Sequence, residues 1–345
     1  MMYCKEKLDS VEKLDSFLAL PHPELVEMMK RLEGDIMILG IAGKMGVTMG
    51  MQAVEAIKAA GVEKKVYGVA RFSNPEERVK LDKAGIITIP CDLMEREQVE
   101  KLPRIPNVIF MAGRKFGTGG SEELTWAMNV LAPALVAEHF KNSRIVAFST
   151  GCVYPLMSVQ EGGCSEDVAP SPVGEYSQSC LGRERVFEYY AKKNGTKILL
   201  FRLNYSVDLR YGVLHDIGRA IWEGREVNNT VGYFNVIWQG DANAAALRAL
   251  ELADSPCTYL NVTGPETATV EKAAKIMGEI MGKEVKFAGT PGDLNYLNDS
   301  SKMCRLFGYP RMSLDEMIRL QAQWIADGGI SIGKPTHFEV NNGKF

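Results

Sequence analysis

Short apolar runs alternate with amphipathic stretches along most of the chain. Runs of strand length fall at 36–39, 66–70, 86–89, 107–111, 144–149, 197–203 and 258–262. Between them, helical spacing is read over 48–60, near 95–102, and over 121–139 and 179–194; in the first of these Met49, Ala53, Ile57 and Ala60 share a face. Strand, helix and strand again predict an α/β fold with a mostly parallel, doubly wound sheet covered on both sides. Ligands of such a sheet bind beyond the carboxyl ends of its strands.

The same pattern divides the chain. Residues 34–203 read as the sheet domain, with 235–262 returning to it. Residues 204–234 and 263–330 read as a smaller substrate lobe, with helices expected around 214–223, 269–281 and 314–326. Ahead of the sheet, residues 1–33 hold Leu8, Val11, Leu14, Leu18 and then Leu25, Met28, Met29, Leu32 at helical spacing, broken by Pro21 and Pro23. These predict two short amphipathic helices, packed on the domain or on a partner chain. The tail, 331–345, is read as an arm or as disordered.

The distinctive polar stretches gather where strands end. After the first run, Gly40, Gly43, Lys44, Met45 and Gly46 form a glycine-rich turn into a helix. Glycines there let backbone N–H groups and a helix N-terminus approach a phosphate. Arg71 with Ser73, Asp92 with Leu93, Ala112-Gly113-Arg114-Lys115-Phe116 and Ser149-Thr150-Gly151 follow the later strands. That placement makes a Rossmann-type dinucleotide site the expectation, against the simpler reading of a turn whose glycines only permit close packing.

Composition narrows the class. The 345 residues are 46% hydrophobic and 24% charged, with a formal net charge of -3. This balance predicts a globular protein with neither a nucleic-acid nor a membrane partner. Residues 1–20 lack the apolar core of a signal peptide, and seven cysteines without a paired framework fit free thiols, so a cytoplasmic address is expected. Four scattered histidines and no C-x-x-C pair give no metal site.

Over roughly 35–326 the chain resembles an extended short-chain dehydrogenase/reductase of the epimerase/dehydratase kind. The resemblance rests on the glycine-rich turn, Asp92-Leu93, Asn107 to Gly113, Asn129, Phe148 to Tyr154, Pro172 to Tyr176, Arg202-Leu203-Asn204, Gly240-Asp241-Ala242, Leu260-Asn261-Val262, Ser301-Lys302 and Leu306 to Pro310. It implies a nicotinamide cofactor, with Asp92 and Leu93 near the adenine, and a sugar, sugar-acid or nucleotide-sugar substrate. It also implies proton work by Tyr176 with Thr150, Ser149 being the second choice for the hydroxyl partner. Hydride leaves a carbinol carbon only as the hydroxyl proton leaves too.

The family's lysine, four residues beyond the tyrosine, is replaced by Cys180. A phenol of pKa about 10 without that charge is a poor base near neutrality. Three explanations stay open: another cation (Lys115, Arg114 or Arg210) supplies the charge; a different base such as Glu175 acts; or the protein is a catalytically degenerate cofactor-binding sensor or scaffold. Cys180 itself is not read as a nucleophile.

At the end of the second strand Arg71 and Ser73 stand where a carboxylate would select NAD, so NADP is favoured over NAD. Expected substrate walls are Arg114, Lys115, Phe116, Cys152, Asn204 and Arg210, with Tyr154, Tyr205, Tyr211, Asn235 and Trp238 behind them; Trp238 reads more readily as core. The helices over 121–139 and 179–194 are the faces through which such proteins pair, and a homodimer is the expected assembly.

Overall fold

The computed structural model describes Cys4, residues 6–115 and residues 120–340. Two amphipathic helices, α1 (Val11–Leu18) and α2 (Pro23–Arg31), precede the sheet. Seven parallel strands then alternate with helices: β1 (Ile36–Leu39), α3 (Gly46–Ala60), β2 (Val66–Ala70), α4 (Pro75–Lys83), β3 (Ile87–Pro90), α5 (Arg96–Glu100) and β4 (Asn107–Phe110). After β4 come α6 (Glu122–Trp126), a π-helical turn (Ala127–Leu131), α7 (Ala132–His139), β5 (Arg144–Thr150), α8 (Gly174–Asn194) and β6 (Lys197–Leu203). Then follow α9 (Val213–Trp222), α10 (Gln239–Arg248), β7 (Thr258–Val262), α11 (Val270–Met281), α12 (Ser301–Phe307) and α13 (Leu314–Ala326).

The strand order is β7-β6-β5-β4-β1-β2-β3. This is the doubly wound Rossmann-type sheet, with a smaller C-terminal lobe beside it. The central β1 and β4 are buried throughout, as continuous apolar runs require of strands covered on both faces. Register sets the functional edge. Leu39 pairs with Phe110, Phe110 with Ala147 and Thr150 with Leu203, so the loops after β1, β4, β5 and β6 leave the sheet side by side.

Leu25, Met28 and Met29 of α2 join the core on the α3–α10 side of the sheet, whereas Leu14 and Leu18 of α1 enter the core of the smaller lobe with α9, α11 and α13. The residues after α13 form an extended strap. The Ile332 N–H donates to the Arg210 carbonyl (3.1 Å) and His215 Nε2 pairs with Ser331 Oγ (2.8 Å). Thr336 donates both its N–H and its hydroxyl to Asp216 (2.7 and 2.6 Å). Phe338 is buried in the lobe's core; residues 341–345 lie outside the described residues.

Candidate functional site

The turn after β1 is shaped for close approach. Gly40 has φ +92°, open to glycine at little cost, and a Cβ there would lie 2.8 Å from the Ala112 nitrogen. At Gly46, the first residue of α3, a Cβ would come within 2.3 Å of the Ile41 carbonyl oxygen. The turn therefore closes tightly and leaves the N-terminus of α3 exposed to the cleft, the arrangement that receives a phosphate. Lys44 adds charge: its Nζ stands 2.7 Å from the centroid of the Tyr211 ring. Burial, with help from the charge of Lys115, lowers its pKa to about 7. These residues fit a dinucleotide's pyrophosphate.

A cleft of about 270 Å³ runs from this turn to the ends of β4, β5 and β6. Gly40, Gly43, Lys44 and Met45 line one end, while Gly113, Arg114, Lys115, Ser149, Thr150, Cys152, Tyr176 and Asn204 surround the other. Tyr176 and Thr150 line this end together, and the Thr150 hydroxyl accepts the Cys152 N–H (3.2 Å). Burial, and then Cys180 and Cys152, push the phenol pKa well above its usual value; Arg183 and Thr150 act the other way. Lys115 Nζ lies 5.8 Å from the Tyr176 ring centroid, and burial lowers its pKa.

α8 begins at Gly174, five residues before the start read from the sequence. The extended Pro172-Val173 segment stops it from starting earlier. Tyr176 is therefore already helical, and Cys180 stands one turn behind it on the same face. Cys180 is buried, and burial pushes its thiol up to about 11. Ser149, the second choice for the hydroxyl partner, instead donates to Glu184 (2.6 Å) in a buried group with Arg202.

Asn129 sits in the π-helical turn and clamps the loop after β4. Its Oδ1 accepts the Arg114 N–H (2.9 Å), and its Nδ2 donates to the Arg114 carbonyl (3.0 Å) and to Ser179 Oγ (2.9 Å). Such turns recur at functional sites because they re-aim one side chain. Arg114 Nη2 donates to Ser121 Oγ (2.7 Å).

Other expected residues lie elsewhere. Arg210 is held by Asp208 (2.8 Å) and Asp15 (3.0 Å), so this cation is already neutralised. Glu175 is exposed and accepts the Trp126 indole N–H (2.6 Å), outside the cleft. Asp92 caps its own turn through the Met94 N–H (3.0 Å), and Leu93 is buried beneath it. Ala112 backs the glycine turn at Gly40. Phe116 lies outside the described residues. Tyr154 donates to Asn261 (2.9 Å), and Trp238 is core.

Arg183, Ser206 and Thr336 also line the cleft. Spacing of seven residues from Tyr176 on one helix would have found Arg183; no periodicity marks Thr336, which arrives on the strap. Tyr205, beside Asn204, holds φ +44°, a strained value for a non-glycine residue in a cleft wall.

Residues 36–206 match the family model described as the NAD dependent epimerase/dehydratase family. No curated protein matches the sequence. Among solved structures, the chain is similar to UDP-glucuronic acid 4-epimerase from Bacillus cereus in complex with NAD: TM-score 0.71, 20% identity, 84% of this chain and 98% of that one. UDP-glucose 4-epimerase from Thermotoga maritima with UDP-glucose gives TM-score 0.69 and 20% identity over 85% and 99%. The Bordetella bronchiseptica enzyme WbmH with NAD+ gives 0.70 and 19% over 86% and 99%.

The expected preference for NADP is overturned, because the matched structures described with a dinucleotide carry NAD. The physical reason is visible after β2. Arg71 and Ser73 are exposed, and α4, unread in the sequence, starts at Pro75 and brings Glu76 and Glu77 into its first turn beside them. Two carboxylates oppose a 2′-phosphate at that strand end. Residues 36–206, the Rossmann-type core, carry the match to the NAD dependent epimerase/dehydratase family.

Proposed function

We propose that the protein is an NAD-dependent epimerase, dehydratase or dehydrogenase acting at a carbinol carbon of a sugar, sugar acid or nucleotide sugar. The observation that carries this reading is Tyr176 with Thr150 in the same cleft as the glycine turn. Gly40, Gly43 and Gly46 with Lys44 and Met45 would hold the pyrophosphate, Asp92 and Leu93 would border the adenine, and Gly113 would admit the nicotinamide end. When bound, NAD supplies the hydride acceptor.

Tyr176 serves as the acid/base and Thr150 orients its hydroxyl. Lys115, clamped in place through Arg114 and Asn129, faces the substrate and favours a polyhydroxylated or acidic compound. Cys152 and Asn204 complete the wall. Asn204 is itself fixed, donating to Asn235 Oδ1 (2.8 Å) and to the Tyr296 carbonyl (3.2 Å). Cys180 stands where the resemblance calls for a lysine.

The test is product formation from a panel of sugars, sugar acids and nucleotide sugars in the presence of NAD, with NADH absorbance followed alongside because only a dehydrogenase consumes NAD. Tyr176→Phe is expected to abolish turnover, by about a thousandfold or more, with NAD affinity nearly unchanged. Unchanged turnover would remove Tyr176 from the mechanism. The raised phenol pKa favours a second reading, an NAD-binding sensor or scaffold. That reading predicts bound NAD that stays redox-silent across the whole panel.

A further inference from the structure

Arg183 lies seven residues beyond Tyr176 and three beyond Cys180 on α8, so the three side chains share a face. It is 5% exposed and its side chain borders the cleft. The guanidinium ends against Gly113, where a Cβ would lie 2.4 Å from Nη2; only glycine leaves it room. Nη1 donates to the Phe148 carbonyl (2.8 Å), Nη2 to Asn129 Oδ1 (2.6 Å) and Nε to the Asn129 carbonyl (3.4 Å). All three acceptors are neutral, and the Phe110 ring (5.6 Å) is the other close neighbour.

An arginine has five N–H groups, so one remains on each terminal nitrogen. Among the described residues no carboxylate forms an ion pair with Arg183; the adjacent Glu184 is committed to Arg202 and Ser149. Burying a charge among neutral partners is costly. A cleft that keeps one is built for something negative.

We propose that Arg183 supplies, from further along α8, the fixed positive charge that a lysine at position 180 would give, stabilising the Tyr176 phenolate and donating to the nicotinamide ribose of NAD. Lys115 fills this role less well: burial disfavours its charged form, whereas a guanidinium stays charged. The direction of influence agrees, since Arg183 opposes burial at both groups, joined by Thr150 at Tyr176 and by the Tyr176 hydroxyl at Cys180. Among the described residues, Cys180, Cys152, Arg183 and Thr150 act on the phenol and Lys115 stands beside its ring.

The proposal rests on the NAD-binding reading above, and its test separates the two. The full chain and its R183M, C180K and C180K/R183M forms are titrated with NAD by calorimetry. Ionisation of Tyr176 is read from phenolate absorbance, each form against its Y176F counterpart. R183M is expected to weaken NAD about tenfold or more and to raise the Tyr176 midpoint by about one pH unit or more. C180K/R183M is expected to recover both, and C180K alone to bind NAD no more tightly than the parent. An unmoved midpoint in R183M, a double variant that recovers neither quantity, or a tenfold gain from C180K alone overturns the proposal. If R183M fails to fold, C180K alone still decides. If the parent does not bind NAD, the proposed function falls, while the R183M midpoint still reports on Arg183.

Discussion

Tyr176 and Thr150 are recognisable in the sequence only through the resemblance, Tyr176 closing the run from Pro172 and Thr150 lying in the run from Phe148 to Tyr154. Ser149 is the neighbour of Thr150 and the second choice; strand alternation sends neighbouring side chains to opposite faces, and Ser149 goes to Glu184. Lys44 is legible as a cation in a phosphate turn, but its burial is not. With a pKa lowered to about 7, it is charged below that pH and neutral above it. An anion binds the charged form, so above pH 7 binding must take up a proton. NAD affinity is therefore expected to fall from pH 7 towards pH 9, by at most tenfold per unit, and Lys44→Met to flatten the fall. Calorimetry in buffers of different ionisation enthalpy reads the proton uptake directly; affinity that is level with pH in the parent contradicts the assignment.

The seven strands and most helices follow from apolar periodicity, since buried parallel strands are continuous apolar runs. Two helical features escape it. α4 buries only Leu81, so its pattern is too polar to read. The first turn of α8 escapes because its one buried residue, Ser177, is polar. α8 is nevertheless tied to the sheet by a buried ion pair in which Arg202 on β6 grips Glu184 with Nε (2.9 Å) and Nη2 (2.7 Å). Removing one partner strands the other charge, so Arg202→Met is expected to cost about 3–5 kcal/mol in denaturant unfolding. A loss below about 1 kcal/mol would mean that the pair does not anchor the helix. The π-helical turn makes its own prediction. Asn129→Ala frees the loop after β4, and should raise KM for substrate about tenfold or more with α-helical circular dichroism unchanged.

At the scale of the molecule, the sheet supplies the cleft's floor, and the smaller lobe with the strap supplies its cover. The strap was legible only as a polar tail, because an extended segment held by backbone and hydroxyl bonds leaves no periodic mark. Thr336 on Asp216 pins it beside Lys44 and Tyr211, so a chain ending after Gly333 is expected to release NAD about tenfold faster in stopped-flow displacement. An equal rate would mean that the strap does not cover the cofactor. Exposed Leu124, Leu131 and Tyr189 on α6, the π-helical turn and α8 form the face proposed for a homodimer, and sedimentation of the full chain should give twice its 38.1 kDa mass. The central claim, that one cleft brings a dinucleotide to Tyr176, is tested most directly by a crystal structure with NAD bound. The account predicts pyrophosphate density against the backbone of Gly43 to Gly46 and the nicotinamide ring facing the Tyr176 hydroxyl, within about 4 Å. Phosphate density absent from that turn, or a ring directed away from Tyr176, would contradict it.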